Sequence, residues 1–287
     1  MKQSLDYLKF AFRPIIKLLI TPSIIWIPVK LTVRQFPYIY VQLKELREWS
    51  KTRKKELSTR CSNILFSDRT VLNGPFASMS YPEMTSIGSA LYPKLLGSYE
   101  RELHEVMDYI VEQNYECIVV IGCAEGYYAV GLAIQMKNVR VYAFDIDQDA
   151  IRLCEAMAAL NNVQIRTSGH FSPGTFSEIC LGKRALIISD CEGYESEIFT
   201  HDTRSFLRDH DLLIETHKTR LTNTLTQMRD VVSCTHTISE YCSIHDTRRA
   251  YQYVYPELNG FDIIERTKIL AEGRNGKSTW IFARPRS

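Results

Sequence analysis

The sequence predicts an α/β chain built on a doubly wound, mostly parallel sheet and preceded by a basic extension. Three observations predict it. Residues 117–133 (CIVVIGCAEGYYAVGLA) pass from a β-branched apolar run, through a turn with two glycines, into a second apolar run. That is the pattern of a buried parallel strand, a tight turn and a helix packed back on the sheet. A second apolar run, 139–144, ends in Asp145. Two more end in polar clusters, Asp190-Cys191-Glu192 and Glu215-Thr216-His217. Ligands of open parallel sheets bind outside the carboxyl ends of the strands, so these polar ends are expected around one crevice.

In chain order, residues 1–60 hold 13 Lys/Arg and 4 Asp/Glu, a balance of +9 that leaves −7 on the rest of a chain whose total is +2. Between Lys17 and Lys30 stand 12 uncharged residues, with Pro22 and Pro28 among them. A bilayer-spanning helix needs about 20. Lys17 abuts the apolar run and no small-residue cleavage site follows, which argues against a cleaved signal peptide. The segment is expected either to lie in a membrane interface, anchored by Phe12, Trp26 and nearby tyrosines, or to pack on the domain or on a second protomer as a homo-oligomer. Residues 51–60 read as a solvated helix or linker. The organisation expected is an extension over 1–60 and one α/β domain over 61–287. Eight cysteines are scattered without a C-x-x-C pair. Neither a zinc site nor a disulfide framework is indicated, and no metal is assigned. Cys117, Cys154 and Cys180 fall in predicted core, which suits a reducing, cytoplasmic location, with peripheral contact at the inner membrane face if the arm binds lipid.

Turn signals crowd residues 64–100. A helix is expected over 99–111, capped by Ser98, with Leu103, Val106, Met107, Ile110 and Val111 at helical spacing. Tyr99 and Glu100 would either reach over a ligand or form a capped first turn. In the glycine turn, Gly122, Cys123, Ala124, Glu125 and Gly126 are the candidate ligand contacts, because glycine lets backbone N–H groups come close. Asp145 lies 23 residues past Gly122, near the spacing of about 20 at which a carboxylate accepts ribose hydroxyls. Ile146 stands beside it. A solvated Asp on an ordinary βαβ unit is the alternative. A helix over 147–161 ends at Asn161-Asn162, a third strand spans 163–167, and 170–174 is loop with no chemistry assigned.

Asp190 and Glu192 belong at the mouth of the same crevice. They are expected to orient a substrate hydroxyl, accept its proton or hold a divalent cation; Glu192 would otherwise cap a helix at 194–199. His217 is a candidate general base, its ordinary pKa of about 6.5 suiting proton removal at neutral pH, or else a structural histidine. A helix is expected over 223–232. Residues 236–238 and 251–255 are ambiguous. Residues 261–264 and 278–283 read as the final strands, joined by a segment with Gly273, Asn275 and Gly276. No internal repeat is visible.

A dinucleotide fold wants G-x-G-x-x-G, but here the middle position is Ala124, which disfavours a nicotinamide dehydrogenase. The turn instead resembles the first motif of class I S-adenosylmethionine-dependent methyltransferases. Within that superfamily the chain is similar to FkbM-type O-methyltransferases through VYAFDID at 141–147, SDCEGYESEIF at 189–199 (family form D-x-E-G-x-E) and LLIETH at 212–217. GPF at 74–76 and KLLGSYERELHEV at 94–106 also resemble bacterial relatives, and the likeness covers roughly 70–285. It implies a Rossmann-like sheet with an antiparallel last strand and S-adenosylmethionine as cofactor. It also places Ser168 and Gly169 near the adenine and Asp190 at the cofactor as well as the acceptor. The reaction implied moves a methyl group to a hydroxyl oxygen, of a sugar, glycan or other small secondary metabolite. One departure stands out. The family carries Asp or Glu two residues before the first glycine, where this chain has Val120, so Glu125 or an upstream residue would have to substitute. Val120 is also the best support for the rival, a non-catalytic binding protein. The acidic body and the lack of an N/D-P-P-Y/F-like tetrad argue against a nucleic-acid substrate.

Overall fold

The computed structural model describes residues 37–217, 223–274 and 278–286, without the side chains of 37–40. Expectations placed on residues 1–36, and on Asn275 and Gly276, lie outside the described residues. The chain divides into two units, Met1–Leu65 and Phe66–Ser287. In the first, α1 (Pro37–Arg60) is a helix of 24 residues whose side chains from 41 onward are mostly exposed. Lys51 pairs with Glu48 at 2.8 Å, and the Arg53 guanidinium sits 5.3 Å over the Trp49 ring. A π-helical turn, Cys61–Leu65, follows. Among the described residues no helix is long and apolar enough to cross a membrane.

The second unit is built on seven strands: β1 (Cys117–Ile121), β2 (Arg140–Phe144), β3 (Ile165–Ser168), β4 (Ala185–Ser189), β5 (Asp211–Thr216), β6 (His236–Cys242) and β7 (Thr279–Pro285). Their order is β3-β2-β1-β4-β5-β7-β6. The first five are mutually parallel, and β7 runs antiparallel to both its neighbours. This is the Rossmann-like, mostly parallel sheet with an antiparallel last strand that the sequence led one to expect. Every residue of β1, β4 and β5 is buried, as strands covered on both faces must be. One face packs Val119, Ile121, Ile187 and Leu212 against Phe144, Phe171, Phe176 and Phe199.

The helices are α2 (Leu91–Leu96), α3 (His104–Val111), α4 (Tyr127–Gln135), α5 (Gln148–Leu160), α6 (Gly174–Cys180), α7 (Glu195–Ile198), α8 (Arg204–Leu207), α9 (Thr224–Val232), α10 (Asp246–Gln252) and α11 (Ile263–Ile269). Two departures from the sequence reading have clear causes. The single helix expected from 99 is broken. Gly97, at φ +77, ends α2, Glu100 follows at φ +46, and a 3-10 turn at Arg101–Leu103 leads into α3. Ser98 caps nothing; its hydroxyl donates to the Pro93 carbonyl at 3.4 Å. The turn drives the Glu100 side chain into the interior, where it is fully buried. Residues 261–264 are not a strand either. Asp262 and Glu265 form a reciprocal capping box that starts α11, the D-x-x-E pattern of a helix N-terminus. The partner of β7 is β6, from the stretch the sequence left ambiguous.

The chain runs from β1 outward to β3, then crosses back to β4 on the other side of β1. That reversal opens a crevice at the carboxyl ends of β1 and β4, where ligands of doubly wound sheets bind.

Candidate functional site

A cavity of about 440 Å³ lies in that crevice, within the usual range of small-molecule sites, about 300–1,000 Å³. Its walls come from the ends of β1 (Val120, Ile121), β2 (Phe144) and β4 (Ile188), and from the loops after them. Gly122, Cys123, Ala124, Asp145, Ile146, Asp190 and Glu192 line it; Glu125, Gly126, Ser168 and His217 do not.

Both turn glycines answer to packing inside the protein. Gly122 sits at φ +78, and a Cβ there would fall 1.9 Å from the Asp190 carbonyl oxygen. At Gly126, φ +99, a Cβ would meet Cys154 Sγ at 2.9 Å and Val130 at 3.0 Å. The glycines bring β1 against the loop after β4, and α4 against α5. Asp145 fixes the turn from the other side. Its Oδ2 accepts the Ala124 N–H at 2.9 Å and its Oδ1 accepts the Asp147 N–H at 2.9 Å. Each oxygen keeps a lone pair for a ligand. Beside it Ile146 is 80% exposed, an apolar lip with no protein cover. Phe144 and Phe171, in T-shaped contact at 5.0 Å, continue the apolar wall. His170, to which sequence reasoning gave no chemistry, also lines the cavity, and its Nε2 is 3.2 Å from the Tyr194 hydroxyl.

Glu125 is committed elsewhere. It is buried against Lys94, whose Nζ lies 2.6 Å from Glu125 Oε1. It also accepts from the Ser86 hydroxyl at 2.8 Å, the Tyr81 hydroxyl at 3.3 Å and the Ile87 N–H at 3.1 Å. Burial works to raise its pKa, but the charge and hydrogen bond of Lys94 hold it below the ordinary value. Lys94, not Glu125, faces the cavity, with its ammonium 4.9 and 5.3 Å from the ring centres of Tyr99 and Tyr127. The sequence carried a faint signal: one lysine within a short, otherwise apolar helix.

Beneath the cavity runs a network of buried charge. Arg274 pairs with Glu100 at 2.6 Å and with Glu215. Arg249 pairs with Glu102 at 3.3 Å and with Glu272. Trp280 Nε1 donates to Glu100 at 3.1 Å, as does the Tyr128 hydroxyl. With Asp190 above them, five carboxylates face two guanidiniums among the described residues. Burial pushes the Glu100 carboxyl up to about 7, with Arg274 pulling against it and Glu215 adding to it. Burial also raises Asp190 well above its ordinary value, reinforced by Glu215 and Glu100. The region is short of positive charge.

Asp190, Glu192 and His217 converge. His217 Nε2 stands 3.5 Å from Asp190 Oδ1 and 3.7 Å from Glu192 Oε2, and its Nδ1 faces Glu195 Oε1 at 3.5 Å. Burial disfavours the charged imidazole, but Glu195, then Glu215 and Glu192, outweigh it and raise its pKa. Glu192 is not the helix cap weighed from sequence. It is exposed, at φ +55, while the fully buried Glu195 accepts the Cys191 N–H at 2.7 Å and the Gly193 N–H at 2.8 Å. The second glutamate of D-x-E-G-x-E thus ties down the loop that carries the first.

No protein-family model matches the sequence, and no curated protein does. Among solved structures, the chain is similar to a precorrin-6y C5,15-methyltransferase from Geobacter metallireducens (14% identity over 64% of this chain and 89% of that one, TM-score 0.44). It is also similar to TrmN from Thermus thermophilus (13%, 68% and 52%, TM-score 0.41). A third is the O-methyltransferase TomG from Streptomyces achromogenes, solved in complex with SAM (9%, 52% and 75%, TM-score 0.40). These likenesses carry no argument about chemistry, which rests on the residues themselves.

Proposed function

We propose that the chain is an S-adenosylmethionine-dependent O-methyltransferase of the FkbM-like kind, acting on a hydroxyl of a sugar, glycan or other small molecule. The observation that carries the reading is one cavity with a carboxylate at each side: Asp145 at the end of β2, and Asp190 after β4.

The residues fit the cofactor. Asp145, its oxygens held by two backbone N–H groups, would accept the ribose hydroxyls. Ile146, Phe144 and Phe171 would cover the adenine. The methionine carboxylate would lie near Lys94 and Ser89. The excess of buried carboxylate and the rings of Tyr99, Tyr127 and Tyr128 favour a cationic sulfonium, since aromatic faces attract cations. When bound, the cofactor supplies an electrophilic methyl group. The chain supplies position, the largest part of the acceleration in such a displacement. Asp190 or Glu192 orients the acceptor hydroxyl and takes its proton, with His217 and Glu215 in support. The hydroxyl oxygen forms the bond to the methyl carbon, and the electron pair of the broken C–S bond stays on sulfur.

The test is a radiolabelled methyl transfer screen over glycans and hydroxylated metabolites, run with the intact chain and its Asp190→Asn variant. Transfer that needs Asp190 supports the reading. Methyl transfer unaffected by Asp190→Asn contradicts the role given to that carboxylate.

A further inference from the structure

We infer that Asp190, Glu192 and His217 form a divalent-cation site at the acceptor end of the cavity. One donor atom from each lies within 4.8 Å of the others. The separations from His217 Nε2, 3.5 and 3.7 Å, are too long for hydrogen bonds. At bond lengths of about 2.0–2.2 Å, neighbouring ligands stand about 2.8–3.6 Å apart; the separation to Asp190 suits donors sharing an ion, and the exposed Glu192 needs only a small rotation to join them.

Three independent features favour a cation over a water-filled gap. First, Asp190 Oδ1 is buried and has no hydrogen-bond partner, an arrangement that buried polar atoms rarely keep. Second, His217 is aimed. Its Nδ1 faces Glu195, a carboxylate itself locked by two backbone N–H groups. At 3.5 Å this contact is electrostatic rather than a hydrogen bond; it leaves Nε2 turned toward Asp190 and Glu192, and a carboxylate on the far side of the ring is the usual second sphere of a metal-binding histidine. Third, the surrounding carboxylates outnumber the guanidiniums, so a bound cation relieves repulsion among them.

One imidazole and two carboxylates suit a borderline cation such as Mn(II) or Fe(II) better than Ca(II), which prefers oxygen donors alone. Three protein donors leave coordination positions open. On the proposed function, those positions receive the acceptor hydroxyl, whose pKa falls on binding; with Asp190 and Glu192 then serving as ligands, its proton leaves to water rather than to either carboxylate. The acceptors favoured are then those with a second oxygen beside the reacting one, able to chelate. That last step rests on the methyltransferase reading; the cation site itself does not.

The test titrates the full chain with Mn(II) and follows loss of the free-ion paramagnetic resonance signal, with S-adenosylmethionine binding measured separately on the same protein. The wild type is expected to bind one Mn(II) at micromolar concentration. Glu192→Gln, at an exposed position that leaves folding intact, is expected to weaken binding at least tenfold, as is His217→Gln. Absence of Mn(II) binding to the folded wild type, or equal binding by wild type and both variants, overturns the site. Mn(II) bound through these residues without cofactor binding upholds the site and removes the methyltransferase reading. Cofactor binding without Mn(II) does the reverse.

Discussion

Replacing Asp145 with Asn changes little in size and much in chemistry. The carboxylate accepts two backbone N–H groups at once, from Ala124 and Asp147, both at 2.9 Å. An amide has one oxygen and one NH2, so whichever way it turns, one N–H faces another donor. A hydrogen bond to a charged group is worth about 1.5–3 kcal/mol, so the variant is expected to lose about 2–3 kcal/mol. For a domain of this size that lowers the melting temperature by about 4–12 °C. On the proposed function the same substitution weakens the hold on the ribose by a similar energy, raising Kd for S-adenosylmethionine about 30- to 150-fold. Circular dichroism melting gives the first quantity and calorimetric titration, well below the melt, gives the second. Asp145→Asn that melts within about 1 °C of wild type and binds within about threefold refutes both roles.

Three further outcomes are expected. Gly122→Ala places a Cβ 1.9 Å from the Asp190 carbonyl at φ +78; the left-handed backbone alone costs about 1–2 kcal/mol, and displacement of Asp190 should abolish cofactor binding in whatever fraction stays folded, as denaturation and calorimetry will report. Arg249→Ala leaves Glu102 buried without its cation and Glu272 with only the more distant Arg274, at 3.9 Å, which is expected to cost about 3–5 kcal/mol in urea denaturation, while Arg249→Met, which fills the space without restoring the charge, should be destabilised as well. Glu100 is raised by burial from 4.5 to about 7, so the folded chain holds a proton there that the unfolded chain has released; stability should therefore fall as pH rises from about 4.5 to about 7, by about 3 kcal/mol from this group, and Glu100→Gln should flatten that part of the profile.

The framework was legible because its signals are local. Apolar runs mark β1, β2, β4 and β5, two turn glycines follow β1, an acidic residue follows each of the other three runs, and burial on both faces leaves β1, β4 and β5 no other pattern to show. What failed was also local, but hidden by a competing reading. Asp262 and Glu265 announce a helix, yet Phe261, Ile263 and Ile264 look like strand. Gly97 and Glu100 break a helix whose apolar spacing looks continuous, because burying Glu100 against Arg274 and Trp280 is a tertiary matter. The site was legible in part. Asp145, Asp190, Glu192 and His217 sit at strand ends, which sequence order reveals. Lys94, Phe171 and Arg274 are brought in from elsewhere by packing. Glu125, beside the glycines in sequence, is turned away from the cavity by Lys94.

On the proposed function this cavity takes S-adenosylmethionine. Calorimetric titration of the purified chain with S-adenosylmethionine, and in parallel with NAD, is the measurement to make. Micromolar binding of the first and none of the second is expected. Binding of NAD, or no binding of S-adenosylmethionine by folded protein, would contradict it.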